Sequence, residues 1–414
     1  MASASDDRPT VGLDPVARAK EYVQKYVAPR ELQLDAEPDP EKCFDWELIE
    51  AAHEYGLRTL MMDKQYGGEA VDLLTFMRVA EELGKGDLGI AGTLTQVNKL
   101  ATTIQDVGTQ QQKETILPQI RSDAHCALAW CSTEPDFGSD RALPQLHGPN
   151  PTKNRTRAVK VDGGWQITGT KIYIDEGNIA RYLLVMAQTD ESEPYTTGST
   201  TFIVERGNPG LSSPKVFDKM GRRLGLHTEV VLDQCFVRDE DVLGEVNRGP
   251  AAFASRAGET NVIGGATALG VGEAAYECAV EYATHRIQGG RRLIDHGVVR
   301  HDLAKARMHL DAARAYVNAA AAAELGQIPK DPNFRNFTSV LAGQAAFEMA
   351  LLAMELHGAR GYTRGWRVEK LVRDAASFDH AGTPNRTALL KAAREMYGDA
   401  TASCAPGAEA GDDA

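Results

Sequence analysis

The sequence predicts an α+β fold in three consecutive parts: an N-terminal helical domain (14–124), a middle β-barrel or sandwich domain (125–240) and a C-terminal four-helix bundle (241–400). Three observations point there. Apolar residues recur at helical spacing in the first and last stretches, and the middle stretch instead carries short alternating or β-branched runs separated by Gly, Pro, Asn and Asp. The third is length: 414 residues give room for two or three domains with sizeable cores, since a domain usually takes about 100–200 residues.

Residues 1–13 read as a mobile arm. Asp14 then caps a helix with Pro15 in its first turn, and Val16, Ala19, Val23, Tyr26 and Val27 follow at helical spacing until Pro29 stops it. A second helix is expected from about Trp46 to Tyr55, with Gly56 as its C-cap. A third runs through Leu73, Met77 and Ala80 to Leu83-Gly84, and more helix is expected between Gly92 and Pro118. The predicted strands are Cys126 to Trp130, Trp165 to Ile167, Lys171 to Ile174, Tyr182 to Ala187, Thr200 to Val204 and Val230 to Val237. Leu143 to Arg157 carries two prolines and no apolar period, which predicts a surface loop.

Helices return from about residue 248. Val262 to Tyr282 is rich in Gly and Ala, residues that weaken a helix but let another backbone or a ligand approach closely. Leu303, Ala306, Leu310, Ala313 and Val317 keep the spacing of a bundle helix. Phe334 to Leu356 is apolar on more than one face, which predicts burial on several sides and an oligomer interface. The tail 401–414 is small, acidic and of disordered composition.

Composition narrows the function. A net charge of −13 argues against a general nucleic-acid or anionic-membrane binder. The six cysteines show neither CxxC spacing nor clustering with His, so no metal site is expected and reduced thiols are the default. The N-terminus has no basic region followed by an apolar one, and no stretch reaches the roughly 18 apolar residues of a membrane span, so a cytoplasmic protein is expected.

The stretch Trp130-Cys131-Ser132-Thr133-Glu134-Pro135-Asp136-Phe137-Gly138-Ser139-Asp140 ends a short buried strand in a sharp turn lined with hydroxyls and backbone amides. On its own it reads first as a bare structural turn, since small polar loops at strand ends are common. It resembles the TEPxxGSD signature of the acyl-CoA dehydrogenase superfamily, which lies against the flavin ring. Further stretches match in the same order: Thr168 to Ile174, Met220-Gly221-Arg222-Arg223-Leu224-Gly225, Val242-Leu243-Gly244-Glu245, Arg286, His357-Gly358-Ala359-Arg360-Gly361-Tyr362, Arg373-Asp374-Ala375 and Gly382-Thr383. The resemblance spans about residues 15 to 398 and implies an acyl-CoA dehydrogenase-like fold, FAD as cofactor and an acyl-CoA substrate.

It also implies site residues. Trp130, Ser132, Thr133, Gly138 and Ser139 match the ring and substrate loop, Tyr173 replaces a tryptophan stacked near the ring, and Asp175 replaces a threonine whose hydroxyl reaches flavin N5. Gly358, Thr383 and Asn385 fall in further cofactor-binding stretches. Arg286 matches an arginine that pairs with the cofactor's pyrophosphate across a dimer interface, a task that suits a guanidinium. Around it the pattern departs: Gly289 and Gly297 replace a phenylalanine and a glutamine, and Glu355 replaces a glutamine of the last bundle helix.

The catalytic position departs as well. The family removes the substrate α-proton with a glutamate just before a Gly-Thr pair, and here Ala381 stands in its place. Asp379 or His380 is a candidate displaced base, either group being tunable toward neutral pKa; the alternative is a paired carboxylate and a packed loop residue. Glu259 lies one residue from the position of an alternative base, Thr260, a rotation of about 100° on a helix, and reads also as a solvated charge.

Three functions remain open: α,β-dehydrogenation of a CoA thioester with a displaced base, the same flavin fold turned to a lyase, desulfinase or oxygen-dependent reaction, and a non-catalytic or half-site subunit completed by a homologous chain. The expected partners are an acyl-CoA, an electron-transfer flavoprotein or oxygen as acceptor, and further subunits in a homo-oligomer or heteromer.

Overall fold

The computed structural model describes residues 13–138 and 153–398. The predicted arm, Ser139, most of the 143–157 loop and the tail lie outside the described residues.

Six helices come first: α1 (Pro15–Tyr22), α2 (Glu31–Asp35), α3 (Trp46–Glu54), α4 (Leu73–Gly86), α5 (Leu88–Val107) and α6 (Gln110–Ser122). Their starts are set by side chains that accept otherwise orphaned amides: Asp14 takes those of Val16 and Ala17, Asp72 that of Thr75 and Asp87 that of Ile90. After α1 the chain continues through a π turn at Val23–Val27 and stops before Pro29. The stretch expected as helix from 92 to 118 is two helices. Gly108 ends α5, and Thr109 opens α6 with a reciprocal capping box to Gln112, which leaves Pro118 inside α6 rather than at its end.

The sheet strands are β1 (Leu128–Cys131), β2 (Arg157–Val161), β3 (Gly164–Asp175), β4 (Tyr182–Gln188), β5 (Ser199–Glu205, entered through the one-turn α7, Tyr195–Gly198), β6 (Leu211–Ser212), β7 (His227–Arg238) and β8 (Val242–Leu243). They form one sheet in the order β6-β7-β3-β2-β4-β5-β8, with β1 parallel on β4. Interior residues from β3, β4, β5 and β7 meet in a single buried cluster, so the sheet curls over its own core. Two expectations change here. The runs 165–167 and 171–174 are one strand, its register against β7 shifted at two bulges. Arg157, expected to end a loop, begins β2, which has little apolar pattern of its own because only Ala158 is buried and pairing with β3 holds it.

The remaining elements are α8 (Ala251–Ala254), α9 (Ala257–His285), a hairpin of β9 (Ile287–Gln288) and β10 (Arg291–Arg292), then α10 (Gly297–Glu324), α11 (Pro332–His357), α12 (Arg367–Ala376) and α13 (Asn385–Tyr397). Gly289 and Gly290 both take positive φ at the hairpin tip, a conformation that the aromatic expected at 289 would resist. The small residues of α9 serve helix packing. A Cβ at Gly270 would overlap the Glu81 carbonyl of α4, and one at Gly84 the Thr267 carbonyl of α9. Arg314 of α10 ties the same crossing together through Glu81 and Glu273 at 2.6 and 2.9 Å. The span Pro332–Arg360 is long and apolar enough by composition to cross a membrane, but half of its apolar window is buried within the protein, as in a core helix. Helix α5 contributes to the core shared with the bundle and to the core beneath the outer face of the sheet, so its polar residues lie where sheet and helices meet.

Candidate active site

The predicted ring loop leaves the end of β1. Thr133 Oγ1 donates to the Ile172 carbonyl at 2.6 Å, and the Ile172 amide donates to the Thr133 carbonyl at 3.0 Å, so the loop is stitched to β3. Beneath it the buried Lys171 ammonium meets Glu134 at 2.7 Å, and Glu134 also accepts the Arg155 and Thr156 amides. Burial alone would raise the Glu134 pKa, but Lys171 and these amides hold it below the usual value. The pair fixes the loop by satisfying buried charge. Trp130 packs on Phe253 of α8, and its indole Nε1 is buried without a hydrogen-bond partner among the described residues. Ser132 and Gly138 are half-buried beside it.

Tyr173 and Asp175 follow on β3. Tyr173 sits at the second bulge with φ 55°, which turns its ring out of the sheet to 58% exposure against Phe217. Asp175 is not the isolated charge its sequence position suggests. Its carboxylate lies 2.5 Å from His227 Nε2 and 3.9 Å from Arg222, and although burial opposes the anion, His227 and Arg222 keep it ionised far below its usual pKa. Next to it Glu176 is buried, accepts Thr93 Oγ1 of α5 at 2.7 Å, and is pushed up to about 8 by burial and by Asp175.

Sequence reasoning missed the rest of this constellation. Lys99 of α5 is half-buried, and the charges acting on it are those of Asp175, Arg222 and Glu176. Lys219 donates to the Gly225 carbonyl at 2.5 Å. Glu176 and Arg222 both take left-handed backbone, φ 55° and 53°, uncommon without glycine and concentrated in proteins at functional positions. The one available signal was a lysine on an otherwise uncharged stretch of α5, from Leu88 to Gln105.

The three base candidates are not brought together. Asp379 and His380 lie exposed in the turn between α12 and α13, where Asp379 accepts Asn385 Nδ2 at 2.6 Å rather than pairing with an arginine. Asn385 is buried, its Oδ1 unpartnered, and Thr383 is half-buried. Glu259 pairs with Arg256 at 2.7 Å, and Arg256 also bonds Asp106, so it belongs to a clamp between α5 and α9.

Arg286, Glu355 and Gly358, by contrast, converge. They line a cavity of about 540 Å³ at one end of the bundle, together with Tyr282, Asp302 and Arg360. No residue lies within 4 Å of where a Gly358 Cβ would stand.

Residues 15–123, 129–235 and 247–396 match, respectively, the N-terminal, middle and C-terminal domains of acyl-CoA dehydrogenase. The chain is 32% identical to the short-chain-specific acyl-CoA dehydrogenase of Megasphaera elsdenii, covering 86% of this chain and 90% of that one. The solved butyryl-CoA dehydrogenase of M. elsdenii superposes with a TM-score of 0.84 at 29% identity, over 92% of this chain and 97% of that one. A chain solved in work on the electron transferring flavoprotein of Acidaminococcus fermentans gives 0.84 at 28% identity, over 93% and 97%. Fold and site thus define an FAD-dependent oxidoreductase. The chain belongs to the acyl-CoA dehydrogenase family.

Proposed function

We propose that this chain oxidises a CoA thioester across its α,β bond, with Asp379 or His380 as the displaced base. The carrying observation is the Trp130–Thr133 loop stitched to β3 in line with Tyr173 and Asp175. FAD, when bound, supplies the hydride acceptor.

The residues present fit that cofactor. Trp130 Nε1 is a buried donor without an acceptor at the ring end. At the end of the bundle Arg286 is exposed on the 540 Å³ cavity, where its guanidinium would hold the pyrophosphate of a cofactor seated on a neighbouring subunit and Gly358 leaves room for it. The remaining steps belong to the chain's own groups. Thr133 keeps the loop in register, Tyr173 presents an aromatic face, and Asp379, held by Asn385, or its neighbour His380 takes the α-proton. We further propose the domain division 14–124, 125–240 and 241–400, a cytoplasmic setting, an electron-transfer flavoprotein or oxygen as acceptor, and an oligomer built on the bundle. Two carboxylates, Asp302 and Glu355, share the Arg286 cavity; these, with Ala381 in the base's place, favour a second reading, in which a homologous chain completes the site.

Flavin content and anaerobic bleaching test both. The first reading expects about one FAD per purified chain, bleached by an acyl-CoA, and a D379N/H380Q variant slowed at least ~100-fold, the scale of a lost general base. A yellow chain whose bleaching ignores both substitutions removes these bases. A colourless chain that turns yellow only with a homologous partner establishes the second reading.

A further inference from the structure

Helix α11 is buried on its inner sides, yet the stripe it turns outward keeps large apolar side chains. Ala346, Met349 and Ala350 lie in buried cores. Leu341, Gln344, Leu351 and Glu355 are exposed, with Glu348 half-buried among them, and their spacing of three and four residues puts them on one face. Leu341 is 39% and Leu351 38% exposed, and on the neighbouring helix α10 Met308 reaches 58%. A solvent-facing helix stripe is ordinarily polar, and contiguous apolar surface marks a contact.

Beside this stripe the two helices leave a groove of about 380 Å³. Ala313 and Ala345 form its floor, both nearly sealed from solvent, and the exposed Ala312 and Leu341 stand at its edge. Alanine on both helices makes the depression and Leu341 a ridge along it, the pair of shapes by which helices interlock. Glu348 is the one carboxylate among the described residues that line the groove, and it is bonded to His309 Nδ1 at 2.7 Å. No lysine or arginine is found among those lining residues.

Charge and shape together select the occupant. Two copies of a chain carrying −13 repel one another over most of their surface, so they meet favourably only where charge is sparse and paired. A polyanion or an anionic membrane finds no lysine or arginine here, and a basic partner finds only a carboxylate already taken. The exposed stripe also runs on to Glu355, which lines the Arg286 cavity that the acyl-CoA reading fills from a neighbouring subunit. We propose that the α10–α11 groove seats a second copy of this chain about a two-fold axis, with Leu341 of each copy packing against Ala312 of the other. In such a contact each ridge enters the other's groove, and both apolar edges are covered at once. The inference rests on the reading above, in which an oligomer is built on the bundle, and names the face.

Light scattering on the purified full chain, run down a dilution series, tests this. The parent is expected to be a dimer or a larger even-numbered assembly. A312R and L341E, each at an exposed helical position, are expected to weaken association by about 30-fold or more, the scale of a hot-spot change. V159E, an equally acidic change at an exposed apolar position of β2, leaves association unchanged. Mixing A312R with L341E restores it, because the introduced charges then face each other across one contact and the other contact is native. M308E probes the same face should either variant lose its helical circular dichroism. An oligomer that survives A312R, L341E and M308E overturns the proposal while leaving the oligomer reading to another face of the bundle. So does a folded pair of variants that dissociates and does not recover on mixing, or a V159E variant that dissociates as they do. Assembly only on adding a homologous chain gives the face to that chain and overturns the proposal too. A parent chain that stays monomeric overturns the oligomer reading and this inference with it.

Discussion

Two charged clusters border helix α5, and they differ in how fully their charges are matched. At its N-terminus the fully buried Lys370 ammonium of α12 lies 2.6 Å from Asp87 and 2.6 Å from Asp374, with Glu31 at 4.0 Å. The leftover oxygens of the two aspartates are used as well: Asp87 Oδ1 caps α5 through the Ile90 amide, and Asp374 Oδ1 takes that of Arg222, while Glu31 Oε2 is buried without a hydrogen-bond partner among the described residues. Burial would lower the Lys370 pKa, yet these carboxylates raise it above its usual value. Three turns along, Lys99 is half-buried and makes no ion pair of this kind among the described residues. A saturated buried cluster joins elements, whereas an unsaturated, half-open one holds its groups ready for something else. Here one helix does both, and Arg222 belongs to each cluster, by its amide to the first and its guanidinium to the second.

The contrast breaks first at Lys370. K370M strands Asp87 and Asp374 in the interior and is expected to cost about 3–5 kcal/mol in urea unfolding, the usual scale for a broken buried pair. A loss below about 1 kcal/mol would mean that the two clusters are energetically alike.

Glu176 sharpens it through pH. Its folded pKa, about 8, stands above the ordinary carboxyl value. The folded state therefore holds the proton more tightly, so stability is complete below the ordinary value and drains away as pH rises toward about 8. E176Q, which cannot ionise, should match the parent near pH 4 and exceed its stability above about pH 8 by up to a few kcal/mol. A stability difference flat in pH would place Glu176 in the saturated class.

The smallest effect is expected at Lys99. K99M in the ligand-free protein should change stability by no more than about 1 kcal/mol, and in the stabilising direction, because it removes a desolvated cation without stranding a partner. A destabilisation as large as that of K370M would show that Lys99 is structural.

Much of the frame was legible locally. Asp14-Pro15 announced α1, Gly56 marked the end of α3, and the alternating middle runs became strands, because caps, glycine turns and residue periodicity act over a few neighbours. Motif order also pointed to Trp130, Thr133, Tyr173 and Arg286, whose roles toward the cofactor are part of the proposal. β2 was missed since pairing rather than pattern makes it a strand, and the one helix expected from 92 to 118 is two, because Gly108 and the Thr109–Gln112 capping box break it; the α9 glycines, by contrast, admit the α4 backbone as their size suggested.

By itself, then, the sequence determined the order of layers, the start of α1, the family and the replacement of the usual glutamate by Ala381. Only the tertiary structure decided that Thr93 meets Glu176, that Arg222 comes to Asp175, and that Lys370 sits between Asp87 and Asp374. Charge balance is set by every element that packs around a group, and by backbone conformations such as the left-handed turns at 176 and 222, which no local pattern of residues encodes.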